Sequence, residues 1–293
     1  VKEHYRPKQE KRSTDKHATP WHREVAERGT ILLTEVGSGL HGTSVAEQDD
    51  RDEMGVCIEP PDAVIGFKNF EQYEWKTAWK RPGGRANRSG PGDVDLVIYS
   101  LRKWMRLAMN GNPTVLLMLF APGDKLVKMS AEGVELRKEM PQYILSQLAG
   151  QRFIGYLHKQ RENLLSHNGK GRDCTRPELI EKYGFDTKFA GHMVRLGIQG
   201  NELLKTGKVT LPMTTADSYL IKAIRTGQYT MAECLRMAKI LEDDLVSLMA
   251  SGKSPLRPEP DYEKIDKWLA RTYTWRWTVD EMDKYVAARW DGQ

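Results

Sequence analysis

An α/β protein of the α+β kind is predicted: a small mixed β-sheet with helices, followed by an all-helical half. Three observations predict it. β-Branched runs closed by glycine or proline cluster before residue 100, where they read as strands. From Pro141 onward apolar residues recur at helical spacing. At 293 residues the chain also exceeds the usual size of one domain, so a two-part organisation is expected.

The elements follow in order. Residues 1–20 are polar and without period, and read as a flexible arm. Thr19 or Pro20 opens a short helix. TILLTEV, Thr30–Val36, is a strand ended by the Gly37-Ser38-Gly39 breaker. EMGVCIE, Glu53–Glu59, is a second strand stopped by Pro60-Pro61, and the two are expected to be neighbours. Between them a short helix is expected over Leu40–Gln48. The segment KTAWKRPGGRANRSGPG, Lys76–Gly92, holds five basic residues and no acid, which suits either a polyanion-binding loop or a solvated surface loop. DLVIYS, Asp95–Ser100, is a third strand, and LRKWMRLAMNG is a helix ended by Gly111. Asn112 and Pro113 cap and open the next helix, TVLLMLF. Later helices are expected near 141–167, 186–205, 215–226, 230–250, 261–271 and 278–289, with KSPLRPEP, Lys253–Pro260, as a proline-stiffened linker. The boundaries are then 21–140 for the α/β domain, 141–252 for the helical domain and 253–293 for the linker and last helices. The aromatic cluster YTWRW, Tyr273–Trp277, reads as either interface or core.

Composition excludes several classes. Fractions of 39% hydrophobic and 29% charged residues are those of a soluble globular protein, and no apolar run approaches the roughly 18–20 residues of a membrane span. The segment VKEHYRPKQEKRSTDKH carries no apolar signal stretch, and Cys57, Cys174 and Cys234 are isolated from one another, so a reducing, cytoplasmic location is expected. The histidines are scattered and none pairs with a cysteine at ligand spacing, which argues against zinc. Net charge is +5, and the excess is concentrated in the Lys76–Gly92 segment.

The stretch GSGLHGTSVAEQDDRDEMGV, Gly37–Val56, carries the chemistry. In an extended segment Asp50 and Asp52 project to the same side. Like charges so placed repel, and a divalent ion between them explains the pair economically; hard oxygen ligands favour Mg²⁺ or Mn²⁺. Upstream, Gly37 admits close approach of a ligand and Ser38 offers a hydroxyl and an N–H, a place for phosphate. An acidic surface turn beside an ordinary Gly-Ser turn is the alternative. Eleven residues separate Ser38 from Asp50, enough for the chain to return to the same end of a sheet. Metal ligands beside a phosphate cradle describe a site for phosphoryl or nucleotidyl transfer.

These residues resemble the DNA polymerase β-like nucleotidyltransferase superfamily, whose signature is a hydrophobic strand, Gly-Ser, a spacer and Asp-x-Asp on the next strand. Here those parts are TILLTEV-GS and DRDEMGV. More narrowly, the chain is similar to RNA-repair-pathway polymerase β-like nucleotidyltransferases through DLVIYSLRK (Asp95–Lys103), GNP (Gly111–Pro113) and YGFDTKFAGHMVRLGIQGNELLKTG (Tyr183–Gly207). The likeness runs from about residue 30 to 250 and makes 21–140 the catalytic domain. It implies a third carboxylate at Asp95, helping to hold a second metal and acting as general base; Asp93, one pleat away, is read as a turn residue. It also implies that Lys188, His192 and Arg195, on one helix face, clamp the triphosphate as cations, with a solvated face or a core histidine as the alternatives. Lys103 and His41 are further nucleotide-contact candidates, each equally readable as ordinary surface. The activity implied is metal-dependent transfer of a nucleoside monophosphate from an NTP to an acceptor hydroxyl, foremost an RNA (tRNA) 3′ end. A small-molecule or protein acceptor, or a non-catalytic nucleic-acid-binding protein on a degenerate transferase core, are the other readings. Two departures stand out. TVLLMLF lacks the acidic residue many relatives keep after Asn-Pro, and Arg51 and Glu53 occupy the other face of the aspartate strand, where apolar residues would anchor it.

Overall fold

The Thr19 side chain accepts a hydrogen bond from the His22 N–H and Pro20 fills the first turn, so helix α1 (Pro20–Gly29) begins where its cap and proline dictate. A computed structural model of the chain describes residues 16–45, 50–82, 89–90, 92–166 and 176–290, with side chains up to Glu281. Most of the arm, residues 1–15, therefore lies outside the described residues, as do Arg85, Arg88 and Cys174. Where the arm becomes visible it is tied down: the His17 carbonyl accepts from the Glu74 N–H at 2.9 Å.

Strand β1 (Thr30–Val36) runs antiparallel to β2 (Arg51–Cys57), as the two β-branched runs predict. Their link differs from expectation. Helix α2 (Gly37–His41) starts directly at the breaker and stops at Gly42, whose φ of 70° ends the helix, while residues 46–49 of the predicted helix lie outside the described residues. After the short α3 (Pro61–Val64), β3 (Gln72–Lys76) forms within what reads from sequence as the approach to a basic loop. It pairs antiparallel with β4 (Val94–Ser100), which in turn lies parallel to β2. Helices α4 (Leu101–Met109) and α5 (Pro113–Phe120) follow, the second with the cap read from sequence, Asn112 on the Thr114 N–H, and the first with Ser100 accepting from the Lys103 N–H. A short β5 (Leu126–Met129) then closes the other edge, giving a mixed sheet of order β3-β4-β2-β1-β5.

The second half is helical: α6 (Ala131–Lys138), α7 (Pro141–Ile144), α8 (Leu148–Ser166), α9 (Pro177–Tyr183), α10 (Thr187–Thr206), α11 (Thr215–Arg225), α12 (Met231–Ala250) and α13 (Tyr262–Trp290). Two expectations change here. The helix expected over 141–167 breaks at Leu145–Gln147, because the Gln147 N–H and side-chain amide donate to the carbonyls of Arg257 (2.9 Å) and Leu256 (2.8 Å). The KSPLRPEP segment is thereby docked against the α7–α8 junction. The two helices expected at 261–271 and 278–289 are one, α13, since Tyr273 and Trp277, one turn apart, both bind Glu59. The YTWRW cluster is thus divided: Tyr273 is buried and Trp275 exposed.

One apolar cluster runs from Ile31 and Leu32 on β1 through Trp104, Leu116 and Phe153 to Val194, Ile224 and Tyr273. Leu116 and Phe153, fully buried, each contribute about 1.5–3 kcal/mol by leaving water. The opposite sheet face buries a smaller cluster of Val25, Cys57, Phe70, Tyr73 and Ile98 under α1. Central to the helical half, α10 packs against α8, α11 and α12. On β2 burial begins at Met54; Arg51 and Glu53 pair with each other at 2.8 Å on its protruding end. The strand is paired along its length but buries side chains towards one end only, which leaves Asp52 at the rim of the core. Among the described residues no helix is long and apolar enough to cross a membrane.

Candidate active site

Strand register assembles the acids. The parallel pairing of β2 and β4 sets Asp52 directly beside Asp95, and Asp50 precedes Asp52 by one pleat. Each of the three carboxylates offers an oxygen, and these atoms lie within 4.8 Å of one another. Asp93 stands apart: it accepts from the Thr77 hydroxyl (2.8 Å), Arg81 (2.7 Å) and the Gly90 N–H (2.9 Å), which makes it the turn residue read from sequence. Val36 pairs with Asp52 across β1 and β2, so the next residue, Gly37, lies against that carboxylate. Gly37 has φ +71°, and a Cβ there would stand 2.2 Å from Asp52 Oδ2. Only glycine fits this position.

Burial first, then the charges of Asp50 and Asp95, push the Asp52 carboxyl up from 3.8 to about 6, and the opposing pull of Lys188 and Lys76 does not offset them. A carboxyl raised by burial and by two neighbouring carboxylates favours a bound cation. Three carboxylate oxygens with no cysteine or histidine among them suit a hard ion such as Mg²⁺ or Mn²⁺, so the residues present fit the group the sequence implies. Asp95 already has protein partners: Lys76, opposite it on β3, and the Ser89 hydroxyl both donate to its carboxylate.

Facing the acids across a cavity of about 280 Å³ are the cations of the helical half. Gly37, Ser38, Asp50 and Asp52 form one wall; Lys188, His192 and Arg195 of α10, at i, i+4 and i+7, form the other. Asp186 starts that helix by accepting from the Lys188 and Phe189 N–H groups. The histidines correct the sequence reading. His192 is held well below its ordinary pKa by burial and then by Arg195, so it is neutral rather than a clamping cation. His41 is only 2% exposed, accepts a hydrogen bond from Arg195 at Nε2 and has the Gln199 amide 3.1 Å from Nδ1. An Arg donor requires an unprotonated Nε2, and burial, then Arg195, holds its pKa well below normal. His41 is a neutral strut joining α2 to α10, not surface.

The positive charge comes instead from Lys188, Arg195 and two residues that sequence reading did not single out, Arg176 and Arg225. Burial, then Arg225, lowers Arg195 to about 10, which leaves it charged at neutral pH. Arg225 is 4% exposed and donates to the Thr43 carbonyl at 2.7 Å, and Arg176 pairs with Asp186 at 3.0 Å beneath the Phe189 ring. They flank α10 in the chain, Arg176 at the start of α9 and Arg225 at the end of α11, and only the packing of those helices beside α10 turns both to the chamber. Lys76 did leave a signal. In Gln72-Tyr73-Glu74-Trp75-Lys76 polar and aromatic residues alternate, a strand period that sends Lys76 to the face bearing Asp95.

Lys103 is not brought to the acids. It sits in the first turn of α4, beyond the far end of β4, separated from Asp95 by about 17 Å of strand, and donates to Glu71 and Gln72. A second cavity, of about 440 Å³, opens between the faces of β2, β4 and β3 and helices α5 and α10. Gly37, His41, Asp52 and Arg195 border both cavities, Asp95 only the larger and Asp50 only the smaller. The carboxylates therefore stand between a cationic chamber and a mainly apolar one.

The RNA repair pathway DNA polymerase beta family model matches residues 15–271. An uncharacterized 38.9 kDa protein from the nrdC-mobD intergenic region of Enterobacteria phage T4 is 27% identical over 134 residues, 45% of this chain. The aligned stretch spans 37% of that relative's length. The crystal structure of a nucleotidyltransferase-like protein from Exiguobacterium sibiricum 255-15 matches 79% of this chain and 72% of its own, at 13% identity and a TM-score of 0.28. A likeness at that score bears on neither fold nor chemistry.

Proposed function

The chain belongs to the RNA repair pathway DNA polymerase beta family, and from that footing we propose that it transfers a nucleoside monophosphate from an NTP to the 3′ hydroxyl of an RNA, tRNA foremost, with release of pyrophosphate. One observation carries the reading: three carboxylates converge, and two of them, Asp50 and Asp52, border a chamber walled by Lys188, Arg195, Arg225 and Arg176. Family membership supports RNA as the acceptor.

Asp50, Asp52 and Asp95 would hold Mg²⁺ or Mn²⁺, which when bound supplies charge neutralisation at the phosphates and eases ionisation of the acceptor hydroxyl. Lys188, Arg195 and Arg225 receive the β- and γ-phosphates, and Ser38 presents its hydroxyl from the opposite wall. The acceptor oxygen bonds to the α-phosphorus as the bond to the β-phosphate oxygen breaks. Pyrophosphate departs with that electron pair into the cationic chamber, and Asp95 Oδ takes the acceptor proton. Lys76 orients that carboxylate. His41 holds Arg195 at the mouth of both cavities, so the clamp is set before substrate arrives.

The test is incubation with each α-labelled NTP and Mg²⁺ or Mn²⁺ against RNA, DNA and protein. Label is expected at RNA 3′ ends, and Asp50→Ala or Asp52→Ala is expected to lower the rate roughly a thousandfold or more. Label on protein or DNA in place of RNA would overturn the acceptor, and full activity in either purified variant would overturn the site.

A further inference from the structure

Gln72 and Glu74 lie on the face of β3 that carries Lys76 and line the larger cavity. Their orientation is set from outside it. Lys103 Nζ donates to Gln72 Oε1 at 2.6 Å and to Glu71 Oε2 at 3.2 Å. An ammonium only donates, so the Gln72 amide oxygen is committed to Lys103 and its NH₂ turns towards Glu74, donating to Oε1. Among the described residues no cation pairs with Glu74. The cavity thus meets an N–H donor followed by a carboxylate acceptor. Tyr99, Leu117 and Leu196 supply apolar walls suited to a flat ring.

We propose that this edge recognises guanine, a reading that presupposes the nucleotidyl transfer above in placing a nucleoside here. The hydrogen-bonding edge of guanine presents O6 as an acceptor, then N1–H and the N2 amino group as donors. The Gln72 NH₂ answers O6, and the Glu74 carboxylate answers both donors, a charge-assisted pair. Adenine would turn its N1 lone pair, and cytosine its N3 lone pair, against the carboxylate; uracil offers one N–H in place of two. Glu74 stands two residues from Lys76, the partner of Asp95, so about 7 Å of strand separates the base edge from the acids. That spacing leaves room for a ribose between base and reacting phosphorus. The guanine can arrive on the incoming GTP or as the terminal guanosine of the acceptor RNA, and the shared chemistry is the same.

Two binding series on the full chain in Mg²⁺ test this without turnover. One uses the α,β-methylene analogues of GTP, ATP, CTP, UTP and ITP. The other uses short RNAs that differ only in the 3′-terminal base. A preference for guanine over adenine of about tenfold is expected in one series, which names the source, with inosine between the two because it lacks the N2 amino group. Glu74→Gln, a one-atom change, is expected to bring guanine down to the level of adenine, and Lys103→Met to narrow the ratio less by freeing the Gln72 amide to turn. Equal affinity for all bases in both series, or a guanine preference that survives Glu74→Gln, would overturn the assignment. Guanine preference in a protein that transfers nothing keeps this inference and removes the reaction; transfer without base preference does the reverse.

Discussion

An acid whose carboxyl is raised by burial stands towards each end of β2, and the two are treated in opposite ways. Glu59, 2% exposed just past the strand, has its carboxyl raised by burial, yet it accepts from the Leu101 N–H at 3.1 Å and from the Tyr273 hydroxyl. Trp277 binds its carbonyl at 2.9 Å. Asp52 is likewise raised by burial, but its neighbours are Asp50 and Asp95, and among the described residues no hydrogen bond reaches its carboxylate. Donors around a buried acid make a structural tie. Further acids around one make a site with charge left to satisfy.

The largest expected effect on this contrast is kinetic. Gly37→Ala puts a methyl 2.2 Å from Asp52 Oδ2 in a backbone region alanine disfavours, so the carboxylate must move. Displacement of about 1 Å is expected to lower transfer roughly a hundredfold, read from incorporation of labelled nucleotide. A rate within about twofold of the parent would show that Asp52 acts from another position.

Asp52→Asn sharpens the contrast thermodynamically. Because the folded protein holds the Asp52 proton more tightly than the unfolded chain, stability is lost as pH rises from 3.8 through about 6 and stays lost above. In EDTA at pH 7–8 the Asn variant is therefore expected to unfold at higher urea, by on the order of 2–3 kcal/mol, with the difference vanishing below about pH 4. Added Mg²⁺ should stabilise the parent and leave the variant unmoved. A variant less stable than its parent in EDTA would show that Asp52, like Glu59, is a tie.

The smallest effect is expected at the other end. Tyr273→Phe strips one donor from Glu59 and should cost about 1–3 kcal/mol of unfolding free energy, seen as a lower Tm, with the transfer rate per folded molecule unchanged.

What could be read from sequence was local. Thr19 and Asn112 cap the helices they precede, and Gly37-Ser38 with the alternating Asp50 and Asp52 marks the acid end of the sheet. Asp95 was named through resemblance; that it sits beside Asp52 is a matter of parallel register across more than forty intervening residues, which no periodicity encodes. β3 and β5 escaped notice because both are short edge strands, of five and four residues, one adjoining a basic run. Arg176 and Arg225 were invisible for a related reason: their charge acquires meaning only when α9 and α11 fold beside α10. Lys103 shows the reverse error, a basic residue close to an acidic motif in sequence but carried a full strand length away.

The tie at Glu59 has a temporal side. Its partner hydroxyl lies 214 positions later, which at ordinary translation speeds means that the strand end leaves the ribosome roughly 10–40 s before the helix that seals it. Throughout that interval the nascent chain carries an acid without its closing donor, and any product ending before Tyr273 carries it permanently. The acid past the end of β2 thus gains its closing donor only with the arrival of the last helix.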